Sequence, residues 1–144
     1  MDEQAARSAF AAAVETNRHE FGSFFLSRFF GVDFSYGDDT CKVTFPVNDY
    51  MYNPQGTLHG GVISFALDIS MGHLLKRAIG PGTTLEMKVQ YLRAVKSGVV
   101  SCEAHFLKKG RRINYLESRM SNADGSLIAV GTSTWQLLDA GNGG

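Results

Sequence analysis

The sequence predicts an α+β fold in which a curved antiparallel sheet wraps around one long central helix. Three observations carry this expectation. Residues His59 to Ile79 are apolar on nearly every helical face and stop at Gly80-Pro81-Gly82. An alternating hairpin precedes them, and four alternating segments joined by short turns follow. A helix that is apolar all round must be covered on every side, and consecutive strands with tight turns pair antiparallel.

Each element has a local reason. Ala6, Phe10 and Val14 recur every fourth residue, the spacing of a short amphipathic helix. Five phenylalanines fall between Phe21 and Phe30, either covering the core or lining a pocket. Val32, Phe34 and Tyr36 alternate with polar residues, Gly37-Asp38-Asp39 turns the chain, and Cys41, Val43, Phe45 and Val47 alternate again. The long helix carries Val62, Ile63, Phe65, Leu67, Ile69, Met71, Leu74 and Leu75. After it, Leu85, Met87, Val89 and Tyr91 share one strand face, opposite Glu86, Lys88 and Gln90. Val100 to Phe106, Ile113 to Ser118 and Leu127 to Trp135 complete the set, and residues 139–144 read as a disordered Gly-rich tail.

With 144 residues, the chain is expected to form one domain over residues 1–144. Its hydrophobic fraction of 44% and charged fraction of 19% are those of an ordinary globular protein. Lys+Arg and Asp+Glu both number 14, so no global field recruits nucleic acid or an anionic membrane, and an anionic ligand must be held by a local patch. Cys41 and Cys102 lie in apolar alternating segments and read as buried thiols. No signal-peptide order and no stretch of about 20 apolar residues appears, so a cytoplasmic protein is expected. His19, His73 and His105 lack metal spacing, and neither metal nor cofactor is expected.

The most unusual stretch is Asn53-Pro54-Gln55-Gly56-Thr57-Leu58-His59-Gly60-Gly61, which runs straight into the buried helix. Gly60 and Gly61 stand where the helix begins, so a ligand can approach the first-turn N–H groups, which attract negative charge. An oxygen becoming an oxyanion is such a charge; the glycines equally suit close helix–sheet packing. Asp68 lies mid-helix between Leu67 and Ile69, where a carboxylate needs a partner or a task. Ser64 and Ser70 are its possible structural partners. It stands eight residues beyond Gly60, about 12 Å along the axis at about 1.5 Å per residue. One helix cannot easily set both groups about 3 Å from one carbonyl, so a second chain is expected to supply one of them.

Asn53-x-x-Gly56-x-x-His59-Gly60-Gly61 followed by Asp68 closely resembles the signature of hotdog-fold acyl-CoA thioesterases of the phenylacetate-degradation type, within the 4-hydroxybenzoyl-CoA thioesterase superfamily. The likeness continues through Gly80 to Thr84, Gln90 to Val95, Gly110-Arg111-Arg112 and Asp124 to Gly131. It implies a hotdog fold and hydrolysis of aryl- or medium-chain acyl-CoA to free acid and CoA. It further implies that the Gly60 N–H polarises the thioester carbonyl, with Gly61 beside the CoA moiety. Asn53 and His59 would orient the loop or bond the thioester, although His59 could equally just hold the loop's shape. Asp68 of the partner chain would act as nucleophile or as the base that activates water, and Thr84 would help to place that water. Basic residues near the mouth, Arg93, Lys109, Arg111 and Arg112, are candidates for the CoA phosphates. Members are commonly dimers of dimers, so at least a homodimer and by family a homotetramer is implied. The alternatives on the same fold are a non-catalytic acyl-CoA-binding protein and a hydratase or dehydratase.

Overall fold

The computed structural model describes residues 1–139; of the tail expected at residues 139–144, all but Asp139 lies outside the described residues. The chain runs through α1 (Glu3–Thr16), α2 (Phe25–Phe29), β1 (Asp33–Gly37) and β2 (Thr40–Pro46), then a 3₁₀ turn at Asp49–Met51. The long helix α3 (Gly60–Ala78) follows, then β3 (Gly82–Tyr91), β4 (Val99–Lys108), β5 (Ile113–Asn122) and β6 (Leu127–Leu137). All six strands form one sheet in the order β1-β2-β4-β5-β6-β3, every neighbouring pair antiparallel. Apart from the short helix α2 in the phenylalanine-rich segment, the order predicted from the residues is the order observed, and β3 lies at a sheet edge.

α3 is the centre of the core. Ile63, Ala66, Leu67, Met71, Leu74 and Leu75 are buried, as are Val43, Phe45, Val100, Ala104, Leu116, Met120 and Ile128 of the facing strands. Helix and sheet come closest where residues are small. A side chain at Gly131 would meet Leu67 at 3.3 Å, and one at Gly72 would meet the Trp135 ring at 2.7 Å. The polar atoms in this contact are satisfied across it, with Ser70 Oγ bonded to Ser118 Oγ at 2.7 Å and also donating to the Leu67 carbonyl. Both cysteines are buried free thiols as expected, and burial pushes Cys41 up to about 12. No helix among the described residues is long and apolar enough to cross a membrane.

Three details of strand and helix facing differ from the simple patterns. On α1 the buried residue is Ala13, while Phe10 is 55% exposed, because this helix meets α2 rather than the sheet, with Phe10 edge-on to Phe25. On β3 the pairing with β6 shifts between Thr84 and Glu86, so Leu85 is bulged outward and 51% exposed. A bulge changes the side-chain parity of the strand, and Thr84, Met87 and Val89 become the less exposed set. On β6 the inner set is Ala129, Gly131, Ser133 and Trp135, of which the first three are small and admit the helix.

The phenylalanine-rich segment does both things expected of it. Phe24 and Phe30 pack edge-on to Phe65 of α3, while Phe21 and Phe24 line a 260 Å³ pocket with His73. His73 pins this segment to the helix. Its Nε2 accepts from the Gly22 N–H at 2.9 Å, which places its proton on Nδ1, bonded to the Ile69 carbonyl at 2.8 Å. Burial holds this ring neutral and lowers its pKa to about 4.

The contact at Gly72 yields a stability test. Gly72→Ala gains about 0.5–1 kcal/mol of helix propensity but overpacks against the buried Trp135 ring, at about 1–3 kcal/mol. Net destabilisation is expected, read as a lower midpoint in urea unfolding.

Candidate functional site

The loop before α3 is built by the side chains that the sequence singled out. Asn53 Oδ1 accepts from the backbone N–H groups of Gln55 at 3.0 Å and Thr57 at 3.1 Å, and its Nδ2 donates to Thr57 Oγ1 at 2.9 Å. Gly56, with φ +79°, closes this tight loop in the left-handed region that glycine adopts without strain. The loop is then tied down from outside: the Leu58 N–H donates to the Val95 carbonyl and the His59 N–H to that of Met51.

His59 is the N-cap of α3. Its Nδ1 accepts from the Gly61 N–H at 2.7 Å, satisfying one of the first-turn donors and leaving the ring proton on Nε2. This is a bond to the backbone of the kind expected where His59 holds the loop's shape. Gly60 is the first helical residue, and its N–H belongs to the turn in which a helix supplies no carbonyl partner. It faces a pocket of about 350 Å³ whose walls include Asn53, Thr57, Ile63, Tyr91 and Arg93.

Asp68 is held differently from either expectation. Ser70 is engaged with Leu67 and Ser118, and Ser64 is bonded to the Tyr91 hydroxyl. The partner of Asp68 is Thr84, whose Oγ1 donates to Asp68 Oδ1 at 2.8 Å. Two residues singled out separately are therefore joined, and the Leu85 bulge is what turns Thr84 toward the helix. Burial pushes the Asp68 carboxyl above the usual carboxylate range, while the Thr84 bond draws it partly back.

The structure brings the candidates together in two groups rather than one. Asn53, Gly60 and Arg93 line one pocket, whose walls do not include Asp68. α3 runs antiparallel to β3: Gly60 and Ser64 lie at its Tyr91 end, and Asp68 at its Thr84 end. Eight helical residues complete two turns plus about 80°, so axial distance is what separates Asp68 from Gly60.

The basic residues divide likewise. Arg93 is at the pocket, whereas Lys109, Arg111 and Arg112 sit in the β4–β5 turn, at the sheet end where β3 begins. There Lys109 pairs with Asp39, and Arg112 lies 3.5 Å from Asp139. Within one chain they do not join Arg93 in a single patch. Two residues to which sequence reasoning gives no role in chemistry stand here: Tyr91 on the pocket wall, and Ser64, bonded to its hydroxyl. A spacing of four from Gly60 to Ser64, one helical turn on the same face, is the signal that could have found the serine.

Comparisons with known proteins bear on the family and the fold. The sequence profile described as "Thioesterase superfamily" matches residues 55–129, a span that includes Gly60, Asp68, Thr84 and Tyr91. A Haemophilus influenzae protein with the provisional name of esterase is 31% identical over 76% of this chain and 82% of its own length. A medium/long-chain acyl-CoA thioesterase of Salmonella typhimurium is 25% identical over 58% of this chain and 64% of that protein. The solved structure of the Bacillus halodurans protein BH2602 with CoA superposes with a TM-score of 0.81 at 20% identity, covering 96% of this chain and 91% of that one. The solved structure of the Haemophilus influenzae thioesterase HI1161 shares this helix-wrapped sheet, with a TM-score of 0.75 at 24% identity over 81% of this chain and 87% of that one.

The half-buried carboxyl has a consequence for stability. A raised folded pKa means that the protonated form suits the fold, and this contribution is lost as pH rises through that pKa. Asp68→Asn is therefore expected to melt at or above the wild-type temperature at neutral pH, with the difference closing below about pH 4. Thermal melts across that range check it.

Proposed function

The chain belongs to the thioesterase superfamily, whose members hydrolyse thioester bonds, and from that premise we propose that it cleaves aryl- or medium-chain acyl-CoA to a free acid and CoA. The single observation that carries this reading is the pairing of a donor-rich helix N-terminus in a pocket with a half-buried, bulge-held carboxylate on the same helix. The Gly60 N–H polarises the thioester carbonyl and stabilises the oxyanion as it forms. Asn53 and His59 hold the loop that presents this N–H. Arg93, on the pocket wall, is the residue best placed for a CoA phosphate, with Gly61 in the same turn.

Asp68 supplies the attack, as base or as nucleophile. As base, one carboxylate oxygen receives the Thr84 bond and the other takes a proton from water. The water oxygen bonds to the carbonyl carbon, the C–S bond then breaks, and the proton passes to the departing CoA thiolate. Thr84 thus positions the carboxylate. As nucleophile, an Asp68 carboxylate oxygen bonds to the acyl carbon, the C–S bond breaks and the CoA thiolate leaves with a proton from water; a water then cleaves the anhydride, returning the Asp68 carboxylate and releasing the acid. Single-turnover hydrolysis in ¹⁸O-water separates the two, since only the anhydride route can leave label on Asp68.

The two halves meet across chains. β3 is an edge strand with a free row of backbone groups. If two β3 edges pair antiparallel about the Met87–Lys88 step, Thr84 of one chain comes opposite Tyr91 of the other. Asp68 of each chain then approaches the Gly60 pocket of its partner, so the working unit is at least a homodimer.

Thiol release from a panel of aryl- and medium-chain acyl-CoAs tests the activity. Asp68→Asn is expected to lower kcat by about 10²–10⁴-fold with an unchanged circular dichroism spectrum. Full activity in that variant would sink the mechanism, and failure to cleave any thioester would favour a binding protein. The acid limb of the rate profile is expected above the ordinary carboxylate range, because the base must be ionised and its pKa is raised. Gly60→Pro removes the N–H at a helical position that tolerates proline, and the preceding His59 already has the extended backbone that proline requires. Mixing inactive Asp68→Asn chains with inactive Gly60→Pro chains should restore activity; silent hybrids would count against the shared site.

A further inference from the structure

Tyr91 forms part of the pocket wall beside Gly60. It is the last residue of β3 and is 54% exposed, so burial alone does not account for its position. Its ring lies across Gly60, with Cε1 3.2 Å and the hydroxyl oxygen 3.7 Å from where a Gly60 side chain would begin. The hydroxyl is bonded to Ser64 Oγ, one helical turn beyond Gly60. Two hydroxyls sharing one hydrogen bond use one proton between them and leave the other available to an acceptor in the pocket.

The geometry fits an oxygen held jointly with Gly60. The backbone nitrogen of Gly60 is about 2.5 Å from the same side-chain position by standard bond lengths and angles. With the 3.7 Å to the hydroxyl, the nitrogen and the Tyr91 oxygen are at most about 6 Å apart, so one carbonyl oxygen can lie about 3 Å from both. A carbonyl oxygen has two lone pairs and accepts two donors. Asn53, another polar side chain of the pocket wall, commits its carbonyl and an amide hydrogen to its own loop.

We propose that the Tyr91 hydroxyl, aligned by Ser64, is the second hydrogen-bond donor to the thioester carbonyl beside the Gly60 N–H, an inference that rests on the thioesterase reading above. Tyr91 is then a catalytic residue and Ser64 its positioning residue.

Thiol-release kinetics of Tyr91→Phe, Tyr91→Ala, Ser64→Ala and Ser64→Thr, with Asp68→Asn in parallel, test this. Tyr91→Phe keeps the ring over Gly60 and removes only the donor. It is expected to lower kcat by about 10- to 100-fold while KM stays within about twofold, with the melting temperature unchanged. Ser64→Ala is expected to lose less in kcat, and Ser64→Thr, which keeps a hydroxyl, to recover most of that loss. A wild-type kcat in Tyr91→Phe, with Tyr91→Ala raising only KM, would make Tyr91 a pocket wall and overturn the proposal. If Asp68→Asn is dead while Tyr91→Phe is fully active, this inference alone falls. If Asp68→Asn is fully active, the reading beneath it falls as well.

Discussion

The need to cover α3 on every side governs the rest of the molecule. A helix with apolar residues around most of its circumference is not stable against water, so six strands curve about it and close contacts fall at glycines such as Gly72 and Gly131. Burying each of Leu67, Met71, Leu74 and Leu75 contributes about 1.5–3 kcal/mol. That outweighs the roughly 1 kcal/mol cost of each helical glycine and leaves stability in hand for a carboxylate on the same helix. A helix so fixed also holds its first turn and its midpoint at a constant separation. Both halves of the proposed chemistry, Gly60 and Asp68, are spaced by it.

The bulge at Leu85 sets what Asp68 meets. In an unbroken strand Thr84 and Met87 would point to opposite faces, because side chains alternate with period two. The extra residue restores both to the helix side, and Thr84 reaches Asp68 Oδ1. A hydrogen bond to a charged group is worth about 1.5–3 kcal/mol, whereas desolvating a carboxylate costs several. The direction of the Asp68 shift says that desolvation wins. A carboxylate raised in this way is a stronger base than one in water, so partial burial serves the proposed reaction while it opposes stability.

At the other end of the helix, side chains that look chemical are occupied by architecture. Asn53 makes its loop and His59 caps the helix, and both do so through ordinary local hydrogen bonds. What they leave exposed is backbone: the first-turn N–H of Gly60. The hydroxyls of Tyr91 and Ser64 stand beside it because β3 ends where α3 begins, a juxtaposition between residues 27 positions apart in the chain.

By itself the sequence determined the order of the long elements and the buried helix, and it singled out the stretch from Asn53 to Asp68 as the candidate for chemistry. It could do so because periodicity, turn residues and glycines at a helix start act over a few neighbouring positions. It also placed Asp68 too far along the helix to share one carbonyl with Gly60, since helical rise needs no partner to compute. Tertiary structure alone decided the partner of Asp68, the outward turn of Leu85, the exposed side of α1 and the separation of Arg93 from the β4–β5 basic turn. Each depends on strand register or on which surface an element meets, and one shifted residue in a ladder reverses a whole face. Local pattern carries no record of that shift. The Thr84–Asp68 bond and the Tyr91–Ser64 pair exist only once β3 has found its place beside β6 and across α3.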